Sequence, residues 1–91
     1  MTALPAESVS VIQDEIAGYL EKRVKAPILP EQDLFAAGLV SSLFAMELIL
    51  HLEESYSVTI AGPDLRLENF RTVRQMTELV SRLGGLAGTG G

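Results

Sequence analysis

The sequence predicts an all-α fold: a small helical bundle of three main helices plus one short helix, with a long loop between helices one and two. Three observations carry this. Apolar residues recur at steps of three and four in three separate stretches. The one β-branched run, Ser57-Val58-Thr59-Ile60, is too short to build a sheet. The chain has 91 residues and no cysteine, so a single small domain must be held by packing alone, without disulfides or thiolate metal sites.

The boundaries follow from composition. Residues 1–6 read as a loose leader, 7–83 as the folded domain and 84–91 as a tail, since the last eight residues contain five glycines. Helix one is predicted from Glu7 to about Lys25, with Val9, Ile12, Ile16, Leu20 and Val24 on one face. Lys22, Arg23 and Lys25 suit the negative end of its dipole. Gly18 weakens it locally, and Pro27 and Pro30 stop it. A connection over residues 26–41 follows, long enough to be functional. Within it, Asp33 to Ala37 forms a short turn of helix ending at Gly38, and Leu34 and Phe35 pin the loop to the core.

Helix two is predicted from about Ser42 to Ser55, with Ala45, Leu48, Ile49, Leu52 and Tyr56 inward. Leu43, Phe44 and Met46 widen its apolar girth at the start, which means either deep burial or an exposed binding surface. Val58 and Ile60 tuck beneath the bundle as an extended link. Gly62-Pro63-Asp64 is a turn, and Leu65 to Phe70 contains the short helix. Thr72 caps the last helix, Val73 to about Leu83, with Val73, Met76, Leu79, Val80 and Leu83 inward, and Gly84-Gly85 ends it.

Charge is uneven. The chain carries a net −5, but residues 31–68 hold seven acids (Glu31, Asp33, Glu47, Glu53, Glu54, Asp64, Glu68) against one cation, Arg66. Such a segment repels nucleic acid and anionic membranes and attracts basic protein surfaces. No apolar run spans a bilayer and no signal-peptide pattern opens the chain, so a cytoplasmic monomer is expected.

Catalytic machinery is scarce. His51 is the only histidine, which excludes a zinc site built from imidazoles. A Ser42–His51 pair fails on geometry: nine residues of helix turn the side chain by about 900° and separate the two by roughly 13 Å. Glu53 and Glu54 are adjacent on a helix and diverge. No phosphate-cradling glycine motif is present. The chain is therefore not read as a self-sufficient enzyme.

What remains is Gly38-Leu39-Val40-Ser41-Ser42-Leu43, a glycine break, two serines and an apolar helix start. Either serine can cap the free N–H groups of the first turn. A phosphodiester on a serine there would sit at the positive end of the helix dipole. Together with Glu47-Leu48 and Leu52-Glu53, this stretch resembles the acyl carrier proteins across about residues 7–83. The resemblance implies a 4′-phosphopantetheine arm, with its acyl group held as a thioester. By register it assigns the attachment serine to Ser42, which precedes Leu43, while Ser41 stands where the family usually has Asp. It implies a phosphopantetheinyl transferase, in contact with Ser41, and acyl-transferring enzymes as partners; the acidic segment adds the expectation that their basic patches meet Glu47, Glu53 and Glu54 on helix two, with Leu43 and Met46 as apolar contacts.

Val40 to Met46, with Asp64-Leu65-Arg66-Leu67-Glu68-Asn69-Phe70-Arg71-Thr72, is similar to a narrower group. These are the stand-alone carriers on which methoxymalonyl-type extender units for polyketide synthases are built. That likeness implies a glyceryl-derived cargo, an acyl-loading enzyme, dehydrogenases, an O-methyltransferase and, at delivery, a polyketide synthase acyltransferase. Two other readings fit the residues: a peptidyl or D-alanyl carrier with the same fold and serine, and a helical interaction module with no prosthetic group.

Overall fold

The computed structural model describes the backbone of residues 6–85 and the side chains of residues 9–83. The leader and most of the Gly-rich tail lie outside the described residues. All described secondary structure is helical. Helix α1 spans Ala6–Val24, one residue earlier than the sequence pattern implied, and Gly18 does not interrupt it. Helix α2 spans Ser42–Tyr56. Single 3₁₀ turns follow at Gly62–Asp64 and Leu67–Phe70. Helix α3 spans Val73–Val80. Its α-helical bonding stops short of the expected Leu83, and Ser81–Gly85 continue as a π-helix. Gly84 and Gly85 have no Cβ to favour the tighter wind, so the backbone departs there at low cost. No described helix is long and apolar enough to cross a membrane.

One core joins the three α-helices, the first loop, the extended link and the second 3₁₀ turn. Ile12, Ile16 and Leu20 of α1, Leu48 and Leu52 of α2, and Val73, Met76, Leu79 and Val80 of α3 are buried together. Val9, Val24, Ile49, Tyr56 and Leu83, also expected inward, are half-buried. Val58 and Ile60 of the extended link are buried beneath the bundle. Ile28 and Val40 are buried too, although the sequence pattern did not mark them. Thr77 is enclosed on the inner face of α3, its hydroxyl donating to the Val73 carbonyl at 2.9 Å.

The long first loop is a built structure. Asp33 Oδ1 accepts the Ala36 N–H at 2.9 Å, as an N-cap does. That bond, with Arg71 behind it, holds the Asp33 carboxyl below the usual carboxylate range. The turn closes at Gly38, where φ is +75°. The Gly38 N–H donates to Phe35 at 3.0 Å and the Leu39 N–H to Leu34 at 2.9 Å, a Schellman closure on a left-handed residue. Leu34 is fully buried, and its N–H donates to the Arg71 carbonyl at 2.8 Å. The Arg74 N–H reaches Pro30 at 2.9 Å, and ion pairs Arg71–Asp33 and Arg74–Glu31 add to the seam. The loop is thus tied to the start of α3, which fixes where the chain emerges at Val40 to begin α2.

Candidate functional site

The chain turns from buried Val40 into two exposed serines. Ser41 has extended backbone (φ −92°, ψ 173°) and is the N-cap of α2: its Oγ accepts the Phe44 N–H at 3.1 Å. Ser42 is the first helical residue and is exposed. The two serines, equivalent candidates for the cap in the sequence, are therefore separated by the structure. With Phe44 capped, the N–H groups of Ser42 and Leu43 still point out of the first turn without intrahelical partners. The Ser42 hydroxyl thus stands on solvent beside free donors, at the positive end of a 15-residue helix. An anionic phosphodiester arm fits this position.

Beyond Ser42, one face of α2 is open. Leu43 is 71% exposed, Met46 64% and Leu50 58%. They follow one another at steps of three and four and therefore share a stripe, with Glu47 and Glu54 along its edge. Exposure decides between the two readings of this apolar start for Leu43 and Met46. Phe44 lies half-buried on the other side. Leu50 was missed from the sequence, although its spacing from Met46 and Leu43 carried the signal.

Two of the expected acidic contacts are already engaged. Glu47 accepts a hydrogen bond from Arg23 of α1. Glu53 does not stand free as expected: it is half-buried, and its Oε2 accepts the Ile60 N–H at 2.8 Å, holding the extended link. Only Glu54 of the three is exposed with no ion pair among the described residues.

On another face, α2 borders a mainly apolar cleft of about 140 Å³ lined by Phe35, Ala45, Ile49, Leu65, Leu67 and Phe70, with Arg66 among its walls. Ala45 and Ile49 stand one and two turns along the helix from Ser42. A cavity of about 150 Å³ is enough for a benzene-sized group, so the cleft suits a short chain.

His51 is remote from this chemistry. Its ring stacks on Tyr19 of α1, with centroids 3.7 Å apart and planes at 8°. Burial lowers its pKa from the ordinary 6.5, with Glu54 opposing. Tyr56, on the same seam, donates to Glu15 Oε1 at 2.8 Å; burial, and then that bond, raises its pKa.

The segment Asn69 to Thr72 does structural work. Asn69 Nδ2 donates to the Asp64 carbonyl at 2.9 Å, Phe70 is in the core, Arg71 holds Asp33, and Thr72 Oγ1 accepts the Gln75 N–H at 3.0 Å as the cap of α3.

The family model described as the phosphopantetheine attachment site matches residues 10–80, from within α1 to the last residue of α3. No curated protein matches the chain. The match sets aside the reading as an interaction module without a prosthetic group. The group concerned is 4′-phosphopantetheine, and carrier domains of this kind work with a phosphopantetheinyl transferase and with enzymes that use the loaded arm. With a helical bundle of the expected kind and a match over most of its length, the chain belongs to the phosphopantetheine attachment-site family of carrier proteins.

Proposed function

We propose that the chain is a stand-alone acyl carrier whose arm is attached at Ser42, and that its cargo is a small polar acyl unit of the glyceryl or methoxymalonyl type. The observation that carries the attachment site is the division of labour at the start of α2. Ser41 is occupied in capping, whereas Ser42 is exposed and its side chain makes no hydrogen bond among the described residues. The bound arm supplies a thiol on which an acyl group rides as a thioester. The chain's own residues supply the anchor, a helix terminus that favours the phosphodiester, and the surface that partners meet.

The cargo rests on the likeness of Val40–Met46 and Asp64–Thr72 to the extender-unit carriers. A three-carbon polar unit gains little from burial, at about 0.8 kcal/mol per buried CH₂. It therefore stays accessible to a succession of enzymes: an acyl-loading enzyme, dehydrogenases, an O-methyltransferase and a polyketide synthase acyltransferase. These partners dock on α2 through Leu43, Met46 and Leu50, with Glu47 and Glu54 meeting basic side chains and Ser41 at the rim.

The test is stepwise. Incubation with coenzyme A and a broad-specificity phosphopantetheinyl transferase adds one phosphopantetheine by intact mass. Ser42→Ala abolishes the addition and Ser41→Ala retains it; modification of Ser42→Ala would remove the assignment. The armed protein is then offered to a glyceryl-loading enzyme, a malonyl transferase and an amino-acid adenylating enzyme. Glyceryl loading is expected. Loading with amino acid alone would make this a peptidyl or D-alanyl carrier, and with malonyl alone an ordinary synthase carrier.

A further inference from the structure

In sequence Arg23 belongs to a basic cluster closing the first helix, far from the acidic middle. In the fold it lies on α2. Arg23 Nη2 donates to Glu47 Oε1, and Nη1 donates to the Tyr19 hydroxyl at 2.8 Å. The guanidinium carbon is 4.6 Å from the Phe44 ring centroid and 5.8 Å from that of Tyr19. Tyr19 is itself held by its stack on His51. The cation is therefore fixed between two aromatic rings and a carboxylate, an arrangement that uses the planar guanidinium fork and that a lysine cannot reproduce. Glu47 borders the open stripe of Leu43, Met46 and Leu50, one turn and a half from Ser42.

We propose that Arg23 is a specificity determinant for docking: an internal competitor for Glu47 that a partner's cation must displace before it can use that carboxylate. This rests on the reading of α2 as the docking face. The side chains of Arg23 and Glu47 are 42% and 50% exposed, and exposed ion pairs contribute little to stability, so the pair opens readily. Once displaced, the guanidinium keeps its two rings. A partner with a well-placed arginine gains Glu47; one with diffuse positive charge meets a carboxylate already neutralised. Arg23 thus discriminates among basic partners that the acidic chain attracts alike.

The experiment measures binding of a broad-specificity phosphopantetheinyl transferase to the unmodified full chain, in a double-mutant cycle of Arg23→Gln and Glu47→Gln. Arg23→Gln is expected to tighten binding about twofold to fivefold at low salt, an effect that shrinks at high salt. Glu47→Gln alone should weaken binding less than twofold, but about twofold to fivefold in the Arg23→Gln background. Equal or weaker binding by Arg23→Gln, or the same Glu47→Gln effect in both backgrounds, would overturn the proposal. Arg23→Lys, which keeps charge and stem, should show reduced coupling to Glu47 and provides the cycle should Arg23→Gln lower the melting temperature. Leu43→Ala and Glu54→Gln separate the two readings. If they leave binding unchanged, α2 is not the docking face. If they weaken it while the Arg23–Glu47 coupling is absent, only the role of Arg23 falls.

Discussion

Two adjacent serines with the same chemistry carry different roles because one residue of helical register separates them. Ser41 keeps an extended backbone and turns its hydroxyl back on the Phe44 N–H; Ser42, already helical, cannot reach that donor and faces water. His51 shows the same dependence on surroundings. Helix geometry already excludes it as a base for Ser42, and in the fold it is a packing residue, flat against Tyr19. Burial lowers its pKa below the ordinary 6.5. The unfolded chain therefore binds a proton at a higher pH than the folded one. The contribution is present above about pH 6.5 and is lost as pH falls through the folded value. Melting temperature should thus fall between neutral and mildly acidic pH, and His51→Phe, which keeps a stacked ring, should show a shallower fall. Identical slopes for the two proteins would show that His51 does not contribute to the acid sensitivity.

At the scale of elements, α1 and α2 end in the same way. Glu21 Oε2 accepts the Ile28 N–H at 2.9 Å, and Glu53 Oε2 accepts the Ile60 N–H at 2.8 Å, each seven residues on. Between them stands a residue with left-handed backbone four positions after the glutamate, Lys25 (φ 60°) or Ser57 (φ 54°). In both cases the helix stops, the chain reverses, and a buried isoleucine enters the core with its N–H satisfied by the last-turn carboxylate. Glu53→Ala leaves that donor without its acceptor and should lower stability by about 1–2 kcal/mol. Glu54→Ala, one residue along on the exposed face, should change it by less than about 0.5 kcal/mol. Urea unfolding of the two variants distinguishes a glutamate that holds the fold from one free to meet partners.

At the scale of the molecule, the acidic segment is not a bare acidic surface. The arginines that lie outside it in sequence return to it in space: Arg23 to Glu47, Arg71 to Asp33, Arg74 to Glu31 and Arg82 to Asp64, while Arg66 pairs with Glu68 inside it. The net −5 still acts at long range, but within the segment the acids without an ion pair among the described residues are Glu53 and Glu54, both on α2. These exposed pairs set direction more than stability; the core supplies the latter. Leu52 is fully buried with Leu48, Ile16 and Val80, from all three helices. Leu52→Ala should cost about 2–5 kcal/mol, a large share of the roughly 5–15 kcal/mol available to a domain. Leu50→Ala, two residues away on the open stripe, should cost less than about 0.5 kcal/mol. Comparable losses in the two variants would mean that the inward and outward faces of α2 are misassigned.

The sequence by itself determined the helices, their inward faces, the turn at Gly38 and the corner at Ser41-Ser42. Each of these is a local matter of periodicity, backbone freedom and capping, written within about ten residues. The neighbours of those elements were decided by the tertiary structure. Arg23 and Glu47 are 24 residues apart and Asp33 and Arg71 are 38 apart, and no spacing rule joins them. Glu53 and Glu54 read alike until the fold brings the Ile60 N–H to one of them. Ile28 and Val40 look like loop residues until the loop is drawn under α2 and α3. Periodicity records which side of a helix avoids water; where a charge goes depends on which distant segment the packed core carries beside it.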